Sequence, residues 1–164
     1  MLRFLRNTNP DWKAQGYIGA GIIIVEPQTK LVLGITRGYD MADLGFPGGK
    51  ADSTDPDLQH AACREAFEET GVRIDPKILE LVAENPGPRG THVLFYAPHV
   101  RAWPKRYRSE PFEGYVGFYQ PEAFVNPKAP FEDLAIGPQA VTWCMDIPPD
   151  VEFHQLELVS KWQY

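Results

Sequence analysis

Cysteine is nearly absent from this chain: Cys63 and Cys144 are the only two, and they form no CxxC pair. A disulfide framework or a thiolate zinc site is therefore excluded as the basis of the fold, and both thiols are expected to be reduced, Cys63 within the core. Long apolar runs are missing too. The longest, Ile22 to Val25 with its flanking glycines and alanine, is far too short to span a bilayer. Residues 1–7 lack the apolar stretch and small-residue cleavage site of a signal peptide, so a cytoplasmic location is expected. Positive charge is also short. Lysine and arginine number 16 against 22 acidic residues, a net charge of −6 that argues against duplex nucleic acid as the main ligand.

What is present suits an ordinary globular protein. With 164 residues, 43% of them hydrophobic, the chain is long enough for a real core, and a single domain over residues 1–164 is the economical expectation. Residues 17–26, rich in isoleucine and glycine, read as a buried strand, and residues 31–36 as a second strand that closes a hairpin through the Pro27-Gln28-Thr29-Lys30 turn. Residues 37–44 and the glycine-rich 45–54 read as loop, followed by a helix over about 56–70. Its apolar sector is Ala62, Cys63, Ala66 and Phe67. Further strands are expected at 78–83, 91–99, 114–119 and 141–145, with a C-terminal helix at 151–162. The prolines and glycines of 84–90 predict a loop there. Strands before, between and after two helices make an α/β (α+β) fold, a mixed β-sheet with helices against it.

The chemistry concentrates in Arg64-Glu65-Ala66-Phe67-Glu68-Glu69-Thr70-Gly71-Val72. On a helix the spacing of Glu65, Glu68 and Glu69 gathers three carboxylates on one side. Such crowding is unfavourable unless a hard divalent cation sits among the oxygens. Upstream, Gly45-Phe46-Pro47-Gly48-Gly49-Lys50 is a turn-rich stretch, and Gly71 is suited to stop the helix. Gly49, Arg64, Glu65, Ala66, Glu68, Glu69, Gly71 and Val72 together resemble the Nudix box. One more residue lies between Gly49 and Arg64 than the family spacing has, and the family's upstream glutamate is missing. Asp55 either stands in for that glutamate or caps the helix, with Pro56 at the first helical position; the cap is the favoured reading.

The resemblance implies an α/β/α sandwich and Mg²⁺-dependent hydrolysis of a nucleoside diphosphate linked to another group, with Mn²⁺ as the alternative ion. It further implies Glu65 and Glu69 as metal ligands, Glu68 as a ligand or the base that activates water, and the Gly49 carbonyl as a further ligand. Arg64 would hold the glutamates by charge-assisted hydrogen bonds. Lys50, Arg37 and Arg89 are candidate substrate contacts. A downstream acid often completes the family's site; Glu113 is preferred here over Glu110, Glu132 and Asp133, since residues 113–118 resemble the family's late strand. A competing match at 139–143 would put Gln139 in that place. Arg101, Lys105, Arg106 and Arg108, interleaved with Trp103, Pro104 and Tyr107, form either a solvated tip or a flap over phosphates and base. The substrate expectation is ADP-ribose or a nucleotide sugar. Nucleoside triphosphates, RNA ends and a non-catalytic nucleotide-binding domain are the alternatives, and a homodimer is compatible with all of them.

Overall fold

The computed structural model describes residues 11–38, 40–98, 104–105, 108–109 and 111–124. Among these residues seven strands and one α-helix follow in the order β1 (Tyr17–Ile23), β2 (Val32–Arg37), β3 (Asp40–Gly45), β4 (Gly48–Lys50), α1 (Leu58–Thr70), β5 (Glu80–Gly87), β6 (Gly90–Tyr96) and β7 (Val116–Tyr119). Short 3-10 turns occupy Pro76–Ile78 and Pro121–Phe124. The strands form two sheets, β4-β1-β6-β5 and β3-β2-β7. The first is mixed, because β1 and β6 run parallel. This is the α+β architecture with a mixed sheet expected above; the helix expected at 151–162 and the strand at 141–145 lie outside the described residues.

The predicted β1–β2 hairpin exists only at its tip. Val25 bridges Val32, and Leu33 N–H donates to Ile24 O at 2.9 Å, but the two arms then diverge into different sheets. Both faces of the incoming strand explain why. Ala20, Ile22 and Ile24 pack into the core cluster that also holds the buried side of α1, while Ile23 and Val25 belong to a second cluster with Leu44, Leu94 and Phe124. A strand apolar on both faces needs cover on both.

Three stretches expected to be loop are strand. Residues 48–50 of the glycine-rich stretch form β4, paired antiparallel with β1 through Gly19↔Lys50, Ala20↔Gly49 and Gly21↔Gly48. Residues 40–45 form β3, paired with β2 through Ile35↔Gly45, Thr36↔Leu44 and Arg37↔Asp40. Residues 84–87 continue β5, with Pro86 opposite Thr91 and only Pro88 and Arg89 in the turn. β5 is an edge strand, where a proline's missing N–H costs the sheet little.

α1 also starts later than expected. Asp57, not Asp55, is its N-cap, accepting the His60 N–H at 2.8 Å, so Pro56 lies outside the helix. Gly71 ends it in the left-handed conformation, φ 77°, with its N–H bonded to Phe67 O. Leu58, Ala62, Cys63 and Ala66 are buried and the helix packs on β1 and β4. Phe67 does not join them. It is half-buried, and the Arg73 guanidinium lies 4.1 Å from its ring centroid.

Candidate active site

β4 and α1 present the glycine-rich stretch and the acidic stripe to each other. A Cβ at Gly49 would lie 2.6 Å from the Glu65 carboxyl carbon, so a side chain there would push the Glu65 carboxylate aside. Glu69 is 7% exposed and accepts the Gly48 N–H at 3.0 Å. Glu65 is half-buried and Glu68 exposed. Arg64 joins them, its Nη1 donating to Glu65 Oε1 and Glu68 Oε2, both at 3.2 Å. Its other nitrogens face away from the stripe. Nε donates to Asp55 Oδ1 at 3.0 Å, and Nη2 to Asp55 Oδ2 at 2.9 Å and Lys50 O at 3.0 Å. Asp55 therefore grips Arg64 instead of capping α1.

Glu113 arrives from the other sheet. Its N–H donates to Ser109 Oγ at 2.6 Å, as does that of Gly114 at 3.2 Å, and Ser109 N–H closes the loop on Gly114 O at 3.1 Å. The loop docks on the end of β2 through Gly38 N–H to Glu113 O and Tyr115 N–H to Thr36 Oγ1 at 2.9 Å. A Cβ on Gly114 would overlap the Thr36 carbonyl oxygen, so the docking depends on that glycine. Ser109, Gly114 and Thr36 were not expected to matter. The available signal was a serine four residues before the acid and a glycine directly after it, a turn chemistry.

The two elements face each other across a cleft of about 650 Å³. Glu65, Glu69 and Glu113 form its acidic wall, Arg37 and Lys50 its cations, and Ile35 and Phe46 an apolar part. An adjoining pocket of about 180 Å³ shares the three acids and adds Glu68 and Ser109. Arg89 does not belong. It sits exposed in the β5–β6 turn, outside the residues that line either cavity. Of the basic cluster, Lys105 gives its backbone N–H to Thr70 O at the end of α1, and Arg108 lies 4.4 Å over the Phe112 ring. Glu110, Glu132, Asp133, Gln139, Arg101 and Arg106 lie outside the described residues.

Burial and mutual repulsion raise two carboxyls of this wall. Burial pushes the Glu69 carboxyl up to about 8, aided by the charges of Glu65, Glu113 and Glu68 and opposed by the Gly48 N–H. Glu65 is also raised, by burial first and by Glu68 and Glu113, against the pull of Arg64. Among the described residues no three acidic, histidine or cysteine side chains close into a ready-made cage. The donor set nevertheless fits Mg²⁺ or Mn²⁺. All its atoms are hard oxygens, and Mg²⁺ needs only one or two carboxylates when water and phosphate supply the rest.

A family model for the NUDIX domain matches residues 17–136. The chain belongs to the Nudix family. No curated protein matches it. Among solved structures, it resembles MutT from a study of Aliivibrio salmonicida and Vibrio cholerae, with TM-score 0.58 and 14% identity, covering 77% of this chain and 98% of that one. The MutT protein of Methanosarcina mazei Go1 gives 0.57 and 16%, over 79% and 96% of the two chains. A MutT Nudix hydrolase of Burkholderia pseudomallei gives 0.55 and 21%, over 77% and 97%. At these identities the likeness is one of fold. As a Nudix hydrolase the protein cleaves pyrophosphate bonds; the family acts on small-molecule nucleotides and generally uses divalent metal ions. No helix among the described residues is long and apolar enough to cross a membrane.

Proposed function

We propose that the protein hydrolyses the diphosphate bond of a nucleoside diphosphate derivative, ADP-ribose or a nucleotide sugar, with Mg²⁺ or Mn²⁺ as cofactor. The observation that carries this reading is the convergence of Glu65, Glu69 and Glu113 on one cleft whose rim also holds Arg37 and Lys50. The cation, when bound, neutralises phosphate oxygens and aligns nucleophile with leaving group. Glu65, Glu69 and the Gly49 carbonyl would hold it, with Glu68 at the rim. Glu113 takes the proton of the attacking water. Its backbone is tied at both N–H and C=O, so its side chain starts from a fixed point, as a general base requires. Arg37 and Lys50 neutralise the phosphates, while Ile35 and Phe46 border the less polar part of the substrate. The cleft lies within the range of small-ligand sites.

Two cations at one rim also suit the greater charge of a nucleoside triphosphate, which is the second reading. A panel of ADP-ribose, nucleotide sugars and nucleoside triphosphates with Mg²⁺ separates the two, run beside Glu68→Gln and Glu69→Gln. Wild type and both variants equally inactive on every compound would end the enzyme reading for this chain.

A further inference from the structure

We infer that Trp12 and Asp55 are positioning residues that form a strut behind Arg64, and that this strut is how the chain accommodates its extra residue between Gly49 and Arg64. The inference rests on the hydrolase reading, because Arg64 matters through Glu65 and Glu68. Asp55 is 8% exposed, a burial that an aspartate in a loop reaches only with a strong partner. Its partner is the fork of Arg64, held at two nitrogens. A two-point grip fixes the plane of the guanidinium as well as its distance. In that orientation Nη1 reaches Glu65 and Glu68 together.

Aspartate is one methylene shorter than the glutamate of the family pattern, so its backbone must stand closer to the arginine. The longer loop supplies the advance. It folds on itself, with Asp55 N–H to Asp52 O at 2.9 Å, Asp52 N–H to Asp55 Oδ2 at 2.7 Å and Thr54 N–H to Asp52 Oδ1 at 2.9 Å. Trp12 then holds it from behind. Its indole is 6% exposed in the core that includes Leu58, and its Nε1 donates to Asp55 O at 3.2 Å. Trp12 precedes the span that the family model matches, so residues 11–16 contribute to the site from outside it. Since Asp57 caps α1, the cap does not account for Asp55.

The test uses the full chain with Asp55→Asn, which keeps size and loses charge, and Trp12→Phe, which keeps the ring and loses the donor. Asp55→Asn is expected to lower kcat by about tenfold or more with KM within about twofold, and to weaken Mn²⁺ binding, followed by electron paramagnetic resonance, by about tenfold. Trp12→Phe should lower kcat about threefold in the same direction, and adding Asp55→Asn to Arg64→Lys should cost little beyond Arg64→Lys alone. Asp55→Glu should also lose activity, and deletion of Ser53 from that variant should recover part of it. If Asp55→Asn keeps wild-type kcat and Mn²⁺ affinity while its melting temperature falls, Asp55 only stabilises the loop and the strut is refuted. A wild type that hydrolyses no nucleotide sinks the hydrolase reading instead. The strut is then judged on Mn²⁺ alone, and unchanged affinity in Asp55→Asn overturns it.

Discussion

The acids of α1 and the acid of the 109–114 loop reach one cleft by different means. On α1 the backbone is held by its own repeating hydrogen bonds, so spacing along the chain places Glu65, Glu68 and Glu69 together, and Arg64 tunes the result. Glu113 sits on a loop whose shape depends on one hydroxyl, one glycine and a docking to β2. A site assembled from both has a robust half and a fragile half. Substitutions around Glu113 should therefore damage catalysis far more than they damage the fold, whereas substitutions that disturb the buried side of α1 should damage both.

The sharpest break of this contrast is Glu113→Gln, expected to lower kcat by about a thousandfold at unchanged melting temperature if Glu113 is the base. A loss under about tenfold would move that role to Glu68 and leave the loop a bystander. Next in size, Gly114→Ala should lower kcat by about a hundredfold, because the new methyl must push the loop off Thr36; helical circular dichroism should stay unchanged. Ser109→Ala removes the acceptor of two N–H groups and should lower kcat by about tenfold, with KM little changed. Equal kcat in wild type and Ser109→Ala would mean that the docking to β2 shapes the loop unaided.

The smallest effect falls on the helix side and concerns pH. In the folded, metal-free protein Glu69 holds its proton up to about 8, against 4.5 as the ordinary value. The folded state binds the proton more tightly than the unfolded chain, so this contribution to stability is complete below 4.5 and is lost as pH rises through about 8. The melting temperature of metal-free protein should thus decline across that window, Glu69→Gln should flatten the decline, and saturating Mg²⁺ should reverse it at the alkaline end. A flat profile in wild type would mean that Glu69 is better solvated than its burial indicates.

The same contrast explains what was legible in the sequence. Glu65, Glu68 and Glu69, the stop at Gly71 and the closeness of Gly49 follow from spacing along one helix and its lead. Glu113 was legible as a candidate, but Ser109, Thr36 and Gly114 were not, since their roles exist only once β2 and the loop meet. Asp55 and Asp57 flank Pro56, and either could cap a helix by type; the competing pull of Arg64 decides between them, and that is a contact made in space. Arg37 and Lys50 differ from Arg89 only in which strand ends point at the cleft. The strand over residues 40–45 and the extension of β5 through Pro86 depend on partners that no local pattern announces.

The divergence of β1 and β2 has a consequence for how the chain can be divided. Each sheet draws strands from both sides of α1: β1, which precedes it, pairs with β6, and β2 pairs with β7. A break anywhere in the α1 region leaves two fragments that each hold part of both sheets and neither sheet entire. Fragment complementation across this break would have to rebuild the cleft and both cores in one association step, so nicked material is either a full noncovalent pair or unfolded.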